Sequence, residues 1–533
     1  MNTLAPPALT RRALTRRALT RRALARHALA GAAPASFALA PFAPAPFASP
    51  ARAATPPALL ELGVARDIAG PLDPVARLGA PEANILRAVC PGLVAEDGSG
   101  RLVLALAARL ATPDPRRLVF TLREGLRFHD GFGPITAEDV RFSYERFREK
   151  GPDGALPPYA ADWAVLEGVE VTGPLSGILH LRAPSAMLWR TVLPDASGAI
   201  ISRRALEAGL YRPGPGPLRA PGGGALRLGP WRPWQSLDLL AAAAGTPFPA
   251  LRLRPVPEAK TAELAVRAAE IAFAAVPPED LPALGGRPGL RLLARPATNL
   301  VWIGVNAAHP RFADPRVREA VACALDVGRL VEGAWNGACA PAVAAIAPAL
   351  PGAWAAPPPR RDVARARALL RAAGKGEGFA ARLLLMNTPA HQRAAVLAQA
   401  MLAEAGIRLT LDIRDPGAFW SAGSKAQELV LQRFGGKPDP GFLLQWFTAA
   451  QIGGWNWQGF RDPEFDALVA RAAAMAEGEA RAALYVAAQQ RMAASFCFVF
   501  LTHETVACAY RDWLRPAVLA NGEDWLLDRF ARA

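Results

Sequence analysis

Alternation of apolar and polar positions predicts a strand over residues 118–122, within the stretch LVFTLREGLRFHDG. A second alternation over residues 126–129 follows a turn, so the two runs together predict a β-hairpin. Asp130-Gly131 supplies the next turn. Upstream, Asp97-Gly98 predicts a short hairpin, and the apolar run over residues 102–112 predicts a helix.

A capped helix follows the His-Asp-Gly turn. Thr136 precedes Asp139 by three residues, which is typical of a capping box, and Val140 and Tyr144 share one apolar face. His129 therefore stands at a junction between two elements. A lone histidine beside an aspartate more often orders a turn than catalyses a reaction, and no nucleophile or second base stands near it in the sequence. We interpret this turn as part of the scaffold.

A different pattern begins near residue 292, where predicted strands and helices alternate. Strands are predicted over 300–305, 381–387, 407–415 and 428–434, and helices over 315–325, 392–406 and 462–476. Such interleaving indicates a mixed or parallel sheet that is covered by helices on both faces. The closing stretch, residues 497–510, returns to strand character, which indicates that the chain crosses back into its first half.

The first 53 residues differ from everything after them. They contain eight Arg but no Lys, Asp or Glu, so without them the formal net charge falls from +15 to +7. Twin arginines recur in TRRALTRRALTRRALARHALAG, and Ala51-Arg52-Ala53 has the small-x-small form that signal peptidases accept. We interpret residues 1–53 as a secretory leader of the twin-arginine type, cleaved before Ala54. A mitochondrial-type transit segment and a disordered basic tail are the alternatives.

The remaining residues, 54–533, are too many for one ordinary domain and enough for two or three cores. Their basic charges are spread along the sequence without a Lys/Arg block that is interleaved with aromatic residues, so no nucleic-acid partner is expected. No run of about 18 apolar residues lacks both charge and Pro, so no membrane span is expected. The six His lack metal-ligand spacing, and we expect no metal or other cofactor.

The five cysteines leave two alternatives open. Cys323 with Cys339, or Cys497 with Cys508, could pair in an oxidising compartment, whereas buried free thiols are the other state. No CxxC spacing indicates a metal or redox site.

Seven segments in register resemble one family. Residues 118–147, LVFTLREGLRFHDGFGPITAEDVRFSYERF, are similar to a signature of the large periplasmic solute-binding proteins of ABC importers, which include dipeptide-, oligopeptide- and nickel-binding receptors. Further segments are similar in the same order: GVARDIAGPLDP, NILRAVCPGLVAEDGSGRLVLALA, RFADPRVREAVACALD, AEAGIRLTL, GKPDPGFLL and NWQGFRDPEFDALVARA. The resemblance covers nearly all of residues 59–520.

The resemblance implies an α/β fold of the large, type II, two-lobed periplasmic-binding-protein class, with a discontinuous first lobe and a hinged cleft. It implies a first lobe with an extra subdomain over residues 54–295, a second lobe over 296–485 and a return to the first lobe over 486–533. The implied function is capture of a peptide, an opine-like compound or another small polar solute for ABC permease subunits in the membrane. We expect a periplasmic monomer that is not an enzyme. A secreted enzyme and a ligand sensor or chaperone on the same scaffold are the alternatives.

One departure from the family bears on the ligand. The resemblance implies that peptide receptors carry an acidic residue three positions before the Asp of an Asp-Pro pair, where it binds the peptide α-ammonium. Gly436 stands at that position in RFGGKPDPGF, with Lys437 beside it. A buried ammonium without a carboxylate partner would lose a charge-assisted hydrogen bond, so peptide capture through this contact is not expected.

Aromatic and amide side chains in QWFTAAQIGGWNWQGF suit sugar-like, opine-like or other neutral polar solutes; the alternative is that these tryptophans only pack the lobe. Arg414 and Asp415 are further candidates because they follow the apolar run IRLTLDI, at the end of a predicted strand, where α/β sheets present loops to ligands. The predicted ligand-binding residues are Asn387, Arg414, Asp415, Phe434, Gly436, Trp446, Trp455, Asn456 and Trp457.

Overall fold

The computed structural model describes residues 58–533 except 69, 78, 98–100, 152–153, 213–217 and 423–426. The predicted leader and its cleavage site lie outside the described residues. Strands before residue 297 are β1 (Leu59–Val64), β2 (Val94–Glu96), β3 (Leu102–Leu104), β4 (Ala107–Asp114), β5 (Arg117–Leu122), β6 (Leu166–Gly173), β7 (Ser176–Leu181), β8 (Leu226–Arg232), β9 (Ser236–Ala241), β10 (Ala250–Pro255), β11 (Phe273–Ala275) and β12 (Leu290–Pro296). Later strands are β13 (Leu300–Val305), β14 (Phe379–Met386), β15 (Ile407–Arg414), β16 (Leu429–Phe434), β17 (Phe498–Thr502), β18 (Thr505–Arg511), β19 (Leu514–Arg515) and β20 (Ala531–Arg532).

The helices are α1 (Ala80–Val89), α2 (Ala137–Glu145), α3 (Arg203–Glu207), α4 (Ala259–Arg267), α5 (Leu281–Leu284), α6 (Pro315–Ala324), α7 (Val327–Trp335), α8 (Val363–Ala372), α9 (Pro389–Glu404), α10 (Pro416–Ser421), α11 (Pro440–Leu444), α12 (Pro463–Ala473) and α13 (Glu479–Ala494). The strands predicted over 300–305 and 407–415 are confirmed. The helix predicted over 392–406 is confirmed as α9, and the chain turns away from it at Gly406, which takes φ +96°.

Two mixed sheets organise the molecule. Seven strands lie in the order β12-β18-β11-β1-β10-β9-β8, and five lie in the order β15-β14-β16-β13-β17. We call the body on the seven-stranded sheet the first lobe and the body on the five-stranded sheet the second lobe. A smaller sheet, β4-β5-β7-β6, belongs to the first half of the chain and has its own apolar core around Phe120, Tyr144 and Trp163.

The chain passes between the lobes twice. It leaves β12 at Pro296 and enters β13 at Leu300, close to the expected boundary at residues 295–296. It returns between Thr502, the end of β17, and Thr505, the start of β18. Residue 486, where the return was expected, lies within α13, which packs against α12, and β17 pairs with β13 in the second lobe.

Side chains tie the two crossings together. Asn299 Nδ2 donates to Glu504 Oε2 at 3.1 Å, and His503 Nδ1 lies 2.8 Å from the Asn299 backbone oxygen. Arg433, near the end of β16, donates from Nε to Glu504 Oε2 at 2.7 Å. The paired crossings are the part of the fold about which the lobes can rotate.

The first half contains two differences from the sequence prediction. Residues 102–112 form β3 and most of β4 instead of a helix, since pairing with β5, where Leu110 lies opposite Phe120, outweighs the helix propensity of an Ala- and Leu-rich run. The run over 126–129 forms a single bridge, Arg127 with Pro134, instead of a hairpin strand. The partners of β5 are β4 and β7.

The His-Asp-Gly turn belongs to the scaffold of the first lobe, as expected. Asp130 takes φ +57°, and His129 Nε2 lies 3.1 Å from the Gly224 oxygen. The capping box is confirmed, because the Thr136 N–H donates to Asp139 Oδ2 at 2.9 Å at the start of α2. Burial lowers the pKa of His129, which favours a neutral ring that joins two loops.

All five cysteines are unpaired, and four of them are buried. Burial raises the pKa of the Cys508 thiol to about 12, which keeps it protonated and unreactive at neutral pH. Among the described residues, no helix has the length and the apolar character that a membrane crossing requires.

Candidate functional site

The predicted residues of the second lobe meet at one edge of its sheet. β14, β15 and β16 run parallel, so their carboxyl ends share an edge, with Met386 opposite Arg414. Phe434 at the end of β16 lies opposite Leu300 at the start of β13, where the chain arrives from the first lobe. The candidates that end or follow these strands, Asn387, Arg414, Asp415, Phe434 and Gly436, therefore lie at the edge next to the crossings.

The first lobe presents the matching edge of its own sheet. β1 is parallel to β10 and β11, and both β11 and β12 are antiparallel to β18, so these carboxyl ends lie beside the crossing after Pro296. The β8–β9 hairpin turns at the same edge because β9 is antiparallel to β10. Trp234 in this turn is 73% exposed. Its backbone N–H donates to Asp67 Oδ2 at 2.7 Å. Trp234 therefore stands exposed at the first lobe's edge, and sequence reasoning did not single it out.

Four aromatic side chains of the second lobe contact one another, and we call them the aromatic ledge: Trp420, Phe434, Trp446 and Trp455. The Trp455 ring centroid lies 5.8 Å from Phe434, 5.7 Å from Trp446 and 5.8 Å from Trp420. Trp420 and Trp455 are 38% and 40% exposed, although large apolar rings are usually buried. Trp420 was not predicted, because α10, which carries it, is a short helix without clear periodicity.

Trp457 is not part of the ledge. Its side chain is 3% exposed and packs with Leu384, Phe419 and Val430. Its Nε1 donates to the Gly454 oxygen at 2.7 Å, so the indole N–H is satisfied inside the protein. Trp457 therefore packs inside the second lobe in this structure, and its contact with a solute stays a prediction.

Asn456 is also a structural residue. It is fully buried, and its Nδ2 lies within 2.9–3.1 Å of the backbone oxygens of Phe447, Thr448 and Phe460. Its Oδ1 accepts from the Phe460 N–H at 3.1 Å. The amide shapes the loop that presents Trp455, and a contact of Asn456 with a solute stays a prediction.

Three candidates lie at the sheet edge but bind neighbouring protein groups. Arg414 donates to both Asp412 oxygens at 2.8–2.9 Å. Asp415 caps α10 by accepting from the Ala418 N–H at 2.9 Å, and Asn387 accepts from Gln392 Nε2. They support the edge and keep partial exposure to the solvent.

Gly436 provides close packing at the crossing. A Cβ at this position would lie 1.9 Å from the Thr298 carbonyl oxygen, and the Gly436 N–H donates to Asn299 Oδ1 at 3.2 Å. The void that Gly436 helps to line measures about 10 Å³, which is room for roughly one water. The backbone of the crossing fills the space beside Gly436, and its contact with a solute stays a prediction.

Four charged side chains form a cluster between the lobes, which we call the inter-lobe charge cluster: Arg87, Asp195, Lys437 and Asp524. Lys437 Nζ from the second lobe lies 3.0 Å from Asp195 Oδ2 and 2.5 Å from Asp524 Oδ2. Burial by itself would raise the pKa of Asp524, but Arg87 and Lys437 lower it to about 2. Burial opposes ionisation of Asp195 too, but Lys437 and Arg87 lower its pKa, so both carboxylates are charged at neutral pH. Sequence reasoning missed the cluster because its members are far apart along the chain.

A separate cavity of about 300 Å³ lies within the first lobe. Its walls come from the end of α1, the β2–β4 region and the last residues of the chain, and they include Arg87, Glu96, Arg123, Asp195 and Asp528. The predicted ligand-binding residues do not line it. It adjoins the inter-lobe charge cluster through Arg87 and Asp195 and lies apart from the aromatic ledge.

Relatives by sequence include glutathione-binding proteins. GsiB of Salmonella paratyphi A is 28% identical over 56% of this chain and 58% of its own length. GsiB of Pectobacterium atrosepticum is 25% identical over 82% of this chain and 87% of its own length. The chain thus spans little more than half the length of the Salmonella relative that it matches.

Solved structures establish the fold. The murein tripeptide binding protein MppA of Escherichia coli has a TM-score of 0.79 at 21% identity and covers 89% of this chain and 98% of its own. AgaA of A. tumefaciens R10, solved in complex with agropinic acid, has a TM-score of 0.77 at 21% identity, with the same coverage. These structures confirm the predicted two-lobed fold of the periplasmic binding proteins.

A family profile gives the same assignment. The profile of the bacterial extracellular solute-binding proteins, family 5 (middle region), matches residues 101–455. This match spans most of both lobes and contains the whole aromatic ledge. The chain therefore belongs to the bacterial extracellular solute-binding proteins of family 5.

Proposed function

We propose that this protein is an extracytoplasmic receptor that captures a small polar solute between its two lobes and delivers it to an ABC-type permease. The observation that carries the proposal is the aromatic ledge, with Trp420 and Trp455 more than a third exposed at the sheet edge beside the crossings. A solute on the ledge contacts both lobes only when they are closed, so binding favours the closed conformation. Membership of family 5 supports the same role.

The ledge favours a solute with a planar or sugar-like face. Indole rings combine apolar faces with a polar N–H edge, which suits peptides, opine-like compounds and other polar molecules of that size. The named relatives are glutathione-binding proteins, and AgaA was solved with agropinic acid. These names support a solute of similar size for this chain.

Export to the periplasm is part of the proposal. The acid-free, arginine-rich residues 1–53 and the Ala51-Arg52-Ala53 site support a cleaved leader. N-terminal sequencing of the protein from its native cells is expected to begin at Ala54. A mature protein that begins at Met1 or Asn2 would contradict this part.

Trp455→Ala is expected to weaken solute binding by about 2 kcal/mol, because it removes a stacking surface that the solute desolvates. The ring is 40% exposed and lies on three other aromatic rings, so the free energy of unfolding is expected to fall by about 1–2 kcal/mol, less than for a fully buried tryptophan. Calorimetry with the solute that copurifies measures the first effect, and a melting curve without solute measures the second. Unchanged affinity would remove Trp455 from the binding surface.

Transport itself is tested in cells. Deletion of the gene is expected to abolish uptake of the labelled solute, and the parent gene on a plasmid is expected to restore it. Trp455→Ala is expected to restore uptake only at higher solute concentration. Normal uptake in the deletion strain, or conversion of the solute by the purified protein, would favour a sensor or an enzyme instead.

A further inference from the structure

Lys437 is the member of the inter-lobe charge cluster that comes from the second lobe. The other three members, Arg87, Asp195 and Asp524, belong to the first lobe. Lys437 extends from the loop between β16 and α11, and its side chain is 16% exposed. The two carboxylates that it contacts belong to the first lobe: Asp195 lies between β7 and β8, and Asp524 lies after β18. Lys437 thus holds one ammonium between two carboxylates of the other lobe, in addition to the inter-lobe pairs Arg433–Glu523, Arg190–Glu477 and Arg393–Glu279.

The cluster is balanced, with two cations and two anions. Asp195 Oδ2 and Asp524 Oδ2 contact the ammonium at 3.0 Å and 2.5 Å, and Arg87 contacts Oδ1 of each carboxylate. Asn521 Nδ2 also donates to Asp524 Oδ2 at 2.8 Å. Each carboxylate oxygen therefore has a cationic partner from the protein, and the pair offers no remaining counter-charge to a ligand.

Removal of the ammonium alone would unbalance the cluster. Arg87 would remain beside two carboxylates whose side chains are 11% and 6% exposed. A buried charge that loses its partner keeps its desolvation cost, so this pair would then bind a small cation with N–H donors. The lost side chain would leave space for such a cation where Nζ now lies.

We propose that Lys437 is a built-in ammonium that occupies the Asp195–Asp524 pair, latches the lobes together without a cationic ligand, and excludes solutes that need this pair for an ammonium group. The latch rests on the contacts of the cluster alone. The selection against solutes with an ammonium at this point deepens the proposed function and depends on it.

The test is chemical rescue of Lys437→Ala by ethylammonium chloride. We expect the variant to melt at a lower temperature than the parent, and 100 mM ethylammonium to raise that temperature by about 1–2 °C if it binds with a Kd on the order of 10 mM. The parent is expected not to respond, because Nζ already fills the site. Tetramethylammonium, which has the same charge but no N–H, is expected not to rescue the variant.

Two variants serve as controls. Lys260→Ala removes an ammonium that pairs with Glu263 and Asp280 within the first lobe, and it is expected to show no response to ethylammonium. The double variant Lys437→Ala/Asp524→Asn restores the charge balance, so it is expected to fold without ethylammonium and to respond weakly. If Lys437→Ala does not fold by itself, the yield of folded protein with and without ethylammonium becomes the measurement.

An equal response of the parent, or no greater response of Lys437→Ala than of the double variant, would overturn the latch. This result is independent of the solute. If ethylammonium rescues Lys437→Ala but the protein supports no uptake, the latch is supported and the receptor role is rejected. If the protein supports uptake but ethylammonium does not rescue the variant, the receptor role is supported and the latch is rejected. Selection is tested with dialanine, which Lys437→Ala is expected to bind at least tenfold more tightly than the parent; equal affinities would overturn that part.

Discussion

Trp457→Ala is expected to lower the free energy of unfolding by about 3–5 kcal/mol, as is usual when a buried aromatic side chain is truncated. The ring is 3% exposed, and its centroid lies 5.4 Å from that of Phe419, so the substitution leaves a cavity in the second lobe. It also leaves the Gly454 oxygen without its indole donor. Urea unfolding followed by circular dichroism measures the loss.

Trp455→Ala is the matched control for this prediction. It removes the same type of side chain two positions earlier in the chain, where the ring is 40% exposed. The pair separates packing from binding. If Trp457→Ala unfolds at the parent's urea concentration and instead loses solute binding, then Trp457 contacts the solute and its assignment to the core is wrong.

Gly436→Asp is expected to destabilise the protein by about 3 kcal/mol or more, without creating a site for a cationic solute. A Cβ at this position would lie 1.9 Å from the Thr298 oxygen and 2.4 Å from the Thr298 carbonyl carbon. Both are backbone atoms of the crossing, so relief requires a shift of the chain that links the lobes. Thermal melting of Gly436→Ala and Gly436→Asp measures the cost.

Gly435→Ala is the control for the neighbouring position. Its added Cβ would lie 3.3 Å from Glu523 Oε2, the end of a flexible side chain that can move aside. We expect it to change the free energy of unfolding by less than about 1 kcal/mol. Equal stability of the Gly436 and Gly435 variants would show that the crossing accommodates a side chain at residue 436. A side chain there could then determine which solutes bind.

The sheet edge of the second lobe was predictable because it depends on strand ends. Apolar runs that stop at Met386, Arg414 and Phe434 place three strand ends in the sequence, and the parallel arrangement brings such ends together. The helices between the strands predict that arrangement. Residues next to a strand end could therefore be assigned to one edge before the structure was known.

The orientation of each side chain at that edge was not predictable in the same way. Trp455 and Trp457 stand in one loop with similar neighbours, but Trp455 is 40% and Trp457 is 3% exposed. The difference arises from Asn456, whose amide binds three backbone oxygens and fixes the loop. Loop geometry of this kind has no periodic signal in the sequence.

Contacts between segments that are far apart in the chain could not be predicted from the sequence either. The inter-lobe charge cluster combines residues 87, 195, 437 and 524, and the absence of a side chain at Gly436 reflects the backbone of Thr298. The run over residues 102–112 has helical propensity, but pairing with β5 makes most of it strand. In each case the deciding partner lies elsewhere in the chain.

The most direct test of the account is native mass spectrometry of the exported protein after incubation with a metabolite extract. The parent is expected to carry an additional mass that is lost on dissociation, and the variant Trp420→Ala/Trp455→Ala is expected to lack it while it still unfolds cooperatively on heating without solute. The same additional mass at the same abundance in the double variant, or no bound mass in the parent, would contradict solute capture on the aromatic ledge.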